Sequence, residues 1–204
     1  MFLIISFFYL NILKNFFSSQ IIKILIKIHY NFCMKTKALF LDRDGIINID
    51  KKYVHKIEDF EFCEGIFELC DFFQKQNFAI FVATNQSGIA RKYYSEKDFE
   101  VLSAYMLSEL NKQGIKIEKI YHCPHLENCE CRKPKPGMFL KAQKEFNLDL
   151  SLSFFVGDNL TDMQAGICAG IKNLFLINEN YNDDENYKAF KNLKEFLHYL
   201  KEEK

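Results

Sequence analysis

The sequence carries no net charge, because 27 Lys and Arg balance 27 Asp and Glu over 204 residues. A chain so balanced has no overall basic field with which to collect nucleic acid, so a polynucleotide partner is not expected. Tryptophan is absent, while Phe alone supplies 22 residues. With the many Ile, Lys and Asn residues this reads as AT-rich coding and says nothing of function. Internal repeats and long linkers are missing too. Cysteine is too sparse for a secreted disulfide scaffold. Of seven, Cys123, Cys129 and Cys131 crowd together, and Cys33, Cys63, Cys70 and Cys168 are scattered. That usage fits a reducing cytoplasm and one metal site.

Also missing is an uninterrupted apolar run of roughly 20 residues, the length that spans a membrane. The N-terminal stretch is apolar, but Lys14, Lys23 and Lys27 break it. No positive segment precedes it and no small-residue cleavage site follows, so a signal peptide is not expected either. Residues 1–33 are read as an extension not native to the protein, with Met34 as the first residue. An amphipathic membrane anchor and a soluble extension are the alternatives. Residues 34–204 are expected to form a single soluble domain, monomeric and not bound to membrane.

What is present is alternation. Short apolar runs at 37–41 (KALFL), 78–83 (FAIFVA), 117–121, 154–156 and 173–177 read as buried strands. Between them lie helical patterns. One shows a face at Ile66, Leu69, Cys70 and Phe73, and one starts at Ser95 with Asp98 three residues on and stops at Gly114. A third opens at Pro136, and a fourth runs to about Ala169. The tail, 187–201, reads as a surface helix. The fold class is α/β, a Rossmann-like three-layer sandwich on a mostly parallel sheet. Ligands bind beyond the carboxyl ends of such strands. Asp42, Thr84 and Asp158 each follow an expected strand, so residues far apart in sequence converge on one sheet edge.

The chemistry follows from residue types. Asp42 and Asp44, two apart at a strand end, can share a small volume only if a cation offsets their repulsion, and hard oxygen ligands suit Mg²⁺. One carboxylate can then attack phosphorus, while the other manages the leaving oxygen's proton. A solvated Asp-x-Asp-Gly turn is the plainer reading of that motif alone. Asp158 and Asp162 add acids at a second strand end, one helical turn apart. Thr84–Gly88 offers a hydroxyl and backbone donors for phosphate oxygens, and Lys133 can offset charge growing at phosphorus. Cys123, His125, Cys129 and Cys131 form a complete tetrahedral set for a structural Zn²⁺. It would staple the irregular loop that carries Arg132 and Lys133. His122 is read as a surface residue, and His55 as facing substrate or solvent.

In sequence order, DRDG at 42–45, TNQSG at 84–88, Lys133 within CRKPKPG, and VGDNLTD at 156–162 resemble the four motifs of the haloacid dehalogenase superfamily of phosphatases. With YVHKIEDFEFCEG at 53–65 and the Cys/His cluster, the chain is similar to its branch of heptose bisphosphate and histidinol-phosphate phosphatases, over roughly residues 37–177. The resemblance implies Asp42 as nucleophile and Asp44 as general acid and base. Thr84 and Lys133 would steady the phosphoryl group. Mg²⁺ would sit on Asp42, the Asp44 carbonyl and Asp158, and structural Zn²⁺ on the Cys/His set. Arg43, Asp50, Lys51, Lys52, Tyr53, Asn85, Gln86, Ser87 and Arg132 would join Thr84 and Lys133 in binding a phosphorylated sugar. The product would serve the ADP-heptose route to lipopolysaccharide core. Histidinol phosphate is the rival substrate, with a 3′-phosphorylated polynucleotide behind it. An inactive zinc-stapled interaction module is the alternative of another class. The resemblance further implies a fold without a large cap domain. Three positions depart from the pattern: Ile46, Asn159 and the short segment between His125 and Cys129.

Overall fold

The computed structural model describes residues 36–203, so the readings for residues 1–33 lie outside the described residues. Thr36–Lys204 is one unit built on a six-stranded, all-parallel sheet. Its strands are β1 (Ala38–Leu41), β2 (Ala79–Asn85), β3 (Ile117–Cys123), β4 (Phe154–Gly157), β5 (Asn173–Ile177) and β6 (Lys188–Phe190), in the order β3-β2-β1-β4-β5-β6. The helices are α1 (Ile66–Lys75), α2 (Glu96–Lys112), α3 (Gly137–Phe146), α4 (Leu160–Ala169) and α5 (Leu193–Glu202).

The pleat of β1 shows why the layers number three. Leu39 and Leu41 point into a core shared with Leu69 and Phe73 of α1, Leu102 and Met106 of α2, and Phe196 of α5. Ala38 and Phe40 point the other way, toward Met138 and Phe139 of α3 and Met163 of α4. A strand buried on both faces has no use for polar alternation, hence the continuous apolar run. The Ser95 capping box is formed, with Asp98 N–H on Ser95 Oγ and Ser95 N–H on Asp98 Oδ2. Ile46, one of the three departures from the pattern, is fully buried in the first core.

The tail differs from its reading. Residues 188–190 form an edge strand before the helix, and α5 buries Leu193, Phe196 and Leu197 rather than riding on the surface. Asn192 Oδ1 caps α5 by accepting from Glu195 N–H at 2.9 Å. Three residues of half-exposed strand carry too little periodicity to be seen; what fixes them is packing, with the Phe190 ring 5.2 Å from Phe196. Two strands also run further than read. β2 includes Thr84 and Asn85, and β3 includes Cys123. Between β1 and α1 the only regular element among the described residues is a short 3₁₀ turn, Ile57–Asp59, so no cap domain is inserted there.

Candidate active site

The strand order reverses at β1, which has β2 on one side and β4 on the other. Beyond the carboxyl ends of these strands lies a cleft of about 650 Å³. Asp42 leaves β1 with its N–H on Val156 O of β4 at 3.0 Å, so the two strand tips stay in register as they enter the site. Asp158 leaves β4, and Asp162 stands in the first turn of α4. Carboxylate oxygens of Asp42, Asp158 and Asp162 lie within 4.8 Å of one another.

Lys133 enters this group from the opposite side. Its buried ammonium lies 2.9 Å from Asp42 Oδ1 and 2.7 Å from Asp162 Oδ1, and donates to Ala83 O at 2.9 Å. Its three protons therefore have three acceptors. Burial alone would drive the ammonium toward neutrality, but Asp162 and Asp42 together outweigh it and hold the group above its ordinary range. The acids feel the opposite imbalance. Burial pushes Asp42 up to about 8, Lys133 opposes that, and repulsion from Asp162 and Asp158 adds to it. Asp158 is pushed up to about 7 by burial and by Asp162. Three carboxylates face one ammonium, so the pocket has room electrostatically for a hard divalent cation.

The backbone leaves no slack here. Gly45 has φ +87°, and a Cβ on it would stand 2.3 Å from Asp158 Oδ2. Asp162 Oδ2 accepts from the N–H groups of Asp158 and Asn159, at 3.2 and 3.1 Å, which fixes the start of α4. Asn159 donates its side-chain N–H to Asp158 Oδ1 at 2.8 Å and is the N-cap of α4, so it orients that acid.

Most expected site residues reach the cleft. Asp42 and Asp44 line its floor, with Thr84 to Ser87 on one wall, Arg132 and Lys133 on another, and Asp50, Lys52 and Tyr53 at the mouth. Two do not line it. Arg43 is 1% exposed, its guanidinium turned onto both Asp44 oxygens (Nε to Oδ2 3.1 Å, Nη2 to Oδ1 2.9 Å) and onto Val54 O. As a side chain it holds Asp44 rather than facing a ligand. Lys51 is paired with Glu61 at 3.0 Å. Asn85 exchanges two bonds with the Lys133 backbone, at 3.0 and 3.1 Å, and so ties the lysine loop to β2. His55 lies flat against Tyr94, ring centroids 5.1 Å apart. His122 pairs with Glu96 at 2.9 Å, away from the acids. Tyr94 and Thr161 line the cleft without having been anticipated. Nothing in their spacing separates them from ordinary loop and helix residues. Asp162 was legible as an acid but not as the partner of Lys133.

The second cluster sits beside the first. Sγ of Cys123, Cys129 and Cys131 and Nδ1 of His125 lie within 4.8 Å of one another, and these cysteines are not in disulfides. Burial works against ionisation of Cys129, but donors led by the Arg132 N–H outweigh it and bring that thiol down to about 7. Burial holds the Cys123 and Cys131 thiols up instead, so the fit to a tetrahedral cation rests on the donor set itself, three sulfurs and one imidazole. The cluster spans the end of β3 and the loop reaching Lys133. Gln86 N–H also donates to Cys123 O at 2.7 Å.

Acids at the tips of two adjacent parallel strands, a threonine on the third and a buried lysine define a haloacid dehalogenase superfamily phosphatase. The sequence profile of the family described as polynucleotide kinase 3 phosphatase matches residues 38–195, and the chain belongs to that family. It is 66% identical over 169 residues to the D-glycero-alpha-D-manno-heptose-1,7-bisphosphate 7-phosphatase of Campylobacter jejuni, covering 83% of this chain and 98% of the relative. It is 48% identical to the beta-anomer 7-phosphatase of Helicobacter pylori, over 81% of this chain and 97% of that one. The crystal structure of D,D-heptose 1,7-bisphosphate phosphatase from B. bronchiseptica, complexed with magnesium and phosphate, superposes with a TM-score of 0.75. That match is 27% identical and covers 83% of this chain and all of the other.

Proposed function

We propose that the protein removes the 7-phosphate from D-glycero-D-manno-heptose 1,7-bisphosphate through a phosphoryl group carried on Asp42. The observation that carries this reading is the 66% identity to a relative of that name across 98% of its length. The geometry supplies the chemistry. Asp42 attacks phosphorus and the bond from phosphorus to the C7 oxygen breaks. Asp44 protonates that oxygen as it leaves. Asp44 then takes a proton from water as the water's oxygen bonds to phosphorus, and Asp42 is released. Lys133 balances charge on the phosphoryl oxygens, and the Thr84 hydroxyl donates to them. Asp42, Asp158 and the Asp44 carbonyl would hold Mg²⁺, which offsets the acids' repulsion and neutralises phosphoryl charge.

Arg132 and Lys52 on the cleft wall and mouth would meet the second phosphate. Histidinol phosphate offers an amine there instead. Asp50 is the acid available to it, but Asp50 Oδ1 already accepts from Lys52 N–H at 2.8 Å. The family's description points to nucleic acid 3′-phosphates, which a chain of zero net charge is poorly built to collect. The 66% relative supports the alpha anomer. The reading places the enzyme in the cytoplasm, on the route to ADP-heptose. Among the described residues no helix is long and apolar enough to cross a membrane.

The test is phosphate release by purified protein with Mg²⁺ from both heptose anomers, histidinol phosphate and a 3′-phosphorylated oligonucleotide. Faster cleavage of either of the last two sinks the substrate assignment. Two further outcomes follow from the site. Gly45→Ala is expected to displace Asp158, lowering kcat/KM at least about tenfold and costing more than about 1 kcal/mol of stability. Titrating Mg²⁺ against rate checks it, since the variant should need more. Zinc on Cys123, His125, Cys129 and Cys131 would be structural, at one ion per chain. Cys131→Ser should bring zinc content by elemental analysis below one and lower Tm by several degrees.

A further inference from the structure

Asp44 is gripped by four donors on three side chains. Arg43 supplies two, Asn48 Nδ2 donates to Oδ1 at 3.0 Å, and Gln86 Nε2 donates to Oδ2 at 3.1 Å. Asn48 Nδ2 also donates to the Ile49 carbonyl at 3.0 Å, which holds that amide in place; the Gln86 amide has no backbone partner and is placed by side chains alone. A carboxamide is nearly symmetric in shape, so only its hydrogen bonds decide which end faces which way. Gln86 is 1% exposed. Its Nε2 also donates to Thr84 Oγ1 at 2.8 Å, and its Oε1 accepts from the Tyr94 hydroxyl at 2.5 Å.

Tyr94 is itself held in place. It is 7% exposed, with the His55 ring stacked parallel on one face. On another side it fills the space beside Gly88, where a Cβ would come within 2.1 Å of Tyr94 Cε1. The glycine of the Thr84–Gly88 loop thus makes room for this ring, and the ring delivers one hydroxyl to one amide oxygen.

We infer that Tyr94 is a positioning residue for the proton transfer, anchoring the far end of the Gln86 amide so that its N–H stays within reach of Asp44. Without the hydroxyl, Gln86 Oε1 is buried and unpaired, and the amide is free to shift toward another donor and draw its N–H away from the carboxylate. The donors on Asp44 stabilise the anion that forms as its proton passes to the departing sugar oxygen, so their loss falls on leaving-group protonation. An aryl phosphate, whose phenolate leaves without a proton, does not call on that step.

This rests on the reading of Asp44 as proton donor, and the experiment separates the two. kcat/KM, which stops at the first phosphoryl transfer, is measured with heptose 1,7-bisphosphate and with 4-nitrophenyl phosphate for wild type, Tyr94→Phe, Gln86→Leu, the double variant and Asp44→Asn. Tyr94→Phe should lower the sugar phosphate value about tenfold and the aryl value no more than about twofold. The ratio of the two is independent of how much of each preparation is folded. In the Gln86→Leu background, Tyr94→Phe should cost nothing more. Equal losses on both substrates, or additive losses in the double variant, overturn the role of Tyr94. If Asp44→Asn itself shows no contrast between the substrates, the proton-donor reading fails instead.

Discussion

Lys133→Met is expected to yield a protein whose stability depends on divalent cation. The lysine is the sole ammonium among three carboxylates, two of them buried, and reaches those two within 3 Å. Removing one partner of a buried ion cluster costs about 3–5 kcal/mol, because the others stay desolvated and repel. At about 2–4 °C per kcal/mol for a domain of this size, Tm should drop about 10 °C in chelator. Mg²⁺ should recover a larger share of the variant's stability than of the wild type's. Acidification should help in the same direction. Asp42 and Asp158 are raised to about 8 and about 7 in the fold, against an unfolded value of 3.8. The folded chain therefore binds more protons between those limits, and metal-free stability is lost as pH climbs through them. Thermal melts at pH 5 and pH 8, with and without Mg²⁺, check both signs. Turnover should fall about 10²- to 10³-fold even with metal, since the charge facing the phosphoryl oxygens is gone.

Asp42→Asn should abolish turnover while leaving the fold. The amide keeps an oxygen able to accept from Lys133 Nζ, 2.9 Å away, and from the Arg43 N–H at 2.7 Å. It removes a charge that burial and two acids disfavour, so Tm is expected to stay level or rise. What it lacks is an anionic oxygen to attack phosphorus, and a loss of about 10⁴-fold or more in kcat follows. Acid-quenched wild-type protein should carry labelled phosphate on Asp42, and the variant should carry none. A variant with a tenth of wild-type activity would take Asp42 out of the nucleophile's place.

The donor residues were legible because chemistry of this kind needs particular side chains at strand ends, and strand ends can be read from where apolar runs stop. Leu41 to Asp42 and Gly157 to Asp158 are such stops. The Cys/His cluster was legible for a similar reason, since four candidate ligands within nine residues can come together with little help from the fold. Arg43 shows the opposite. As a cation beside the nucleophile it reads as a phosphate contact, yet its side chain is buried, folded back onto Asp44 and the Val54 carbonyl. Tyr94 and the pairing of Asp162 with Lys133 depend on loops brought together from 8 and 29 residues away. No local pattern encodes such contacts.

By itself the sequence determined the alternation of strands and helices up to Ile177, the acids at the strand tips and the thiol cluster, because period, burial and ligand chemistry are properties of short segments. Only the tertiary structure decided that the order β3-β2-β1-β4 sets Asp42 beside Asp158, that one lysine answers both Asp42 and Asp162, and that a tyrosine hydroxyl meets the far end of the Gln86 amide. The physical reason is that charge balance and hydrogen-bond polarity are settled between groups distant in the chain, at separations of about 3 Å that only packing fixes.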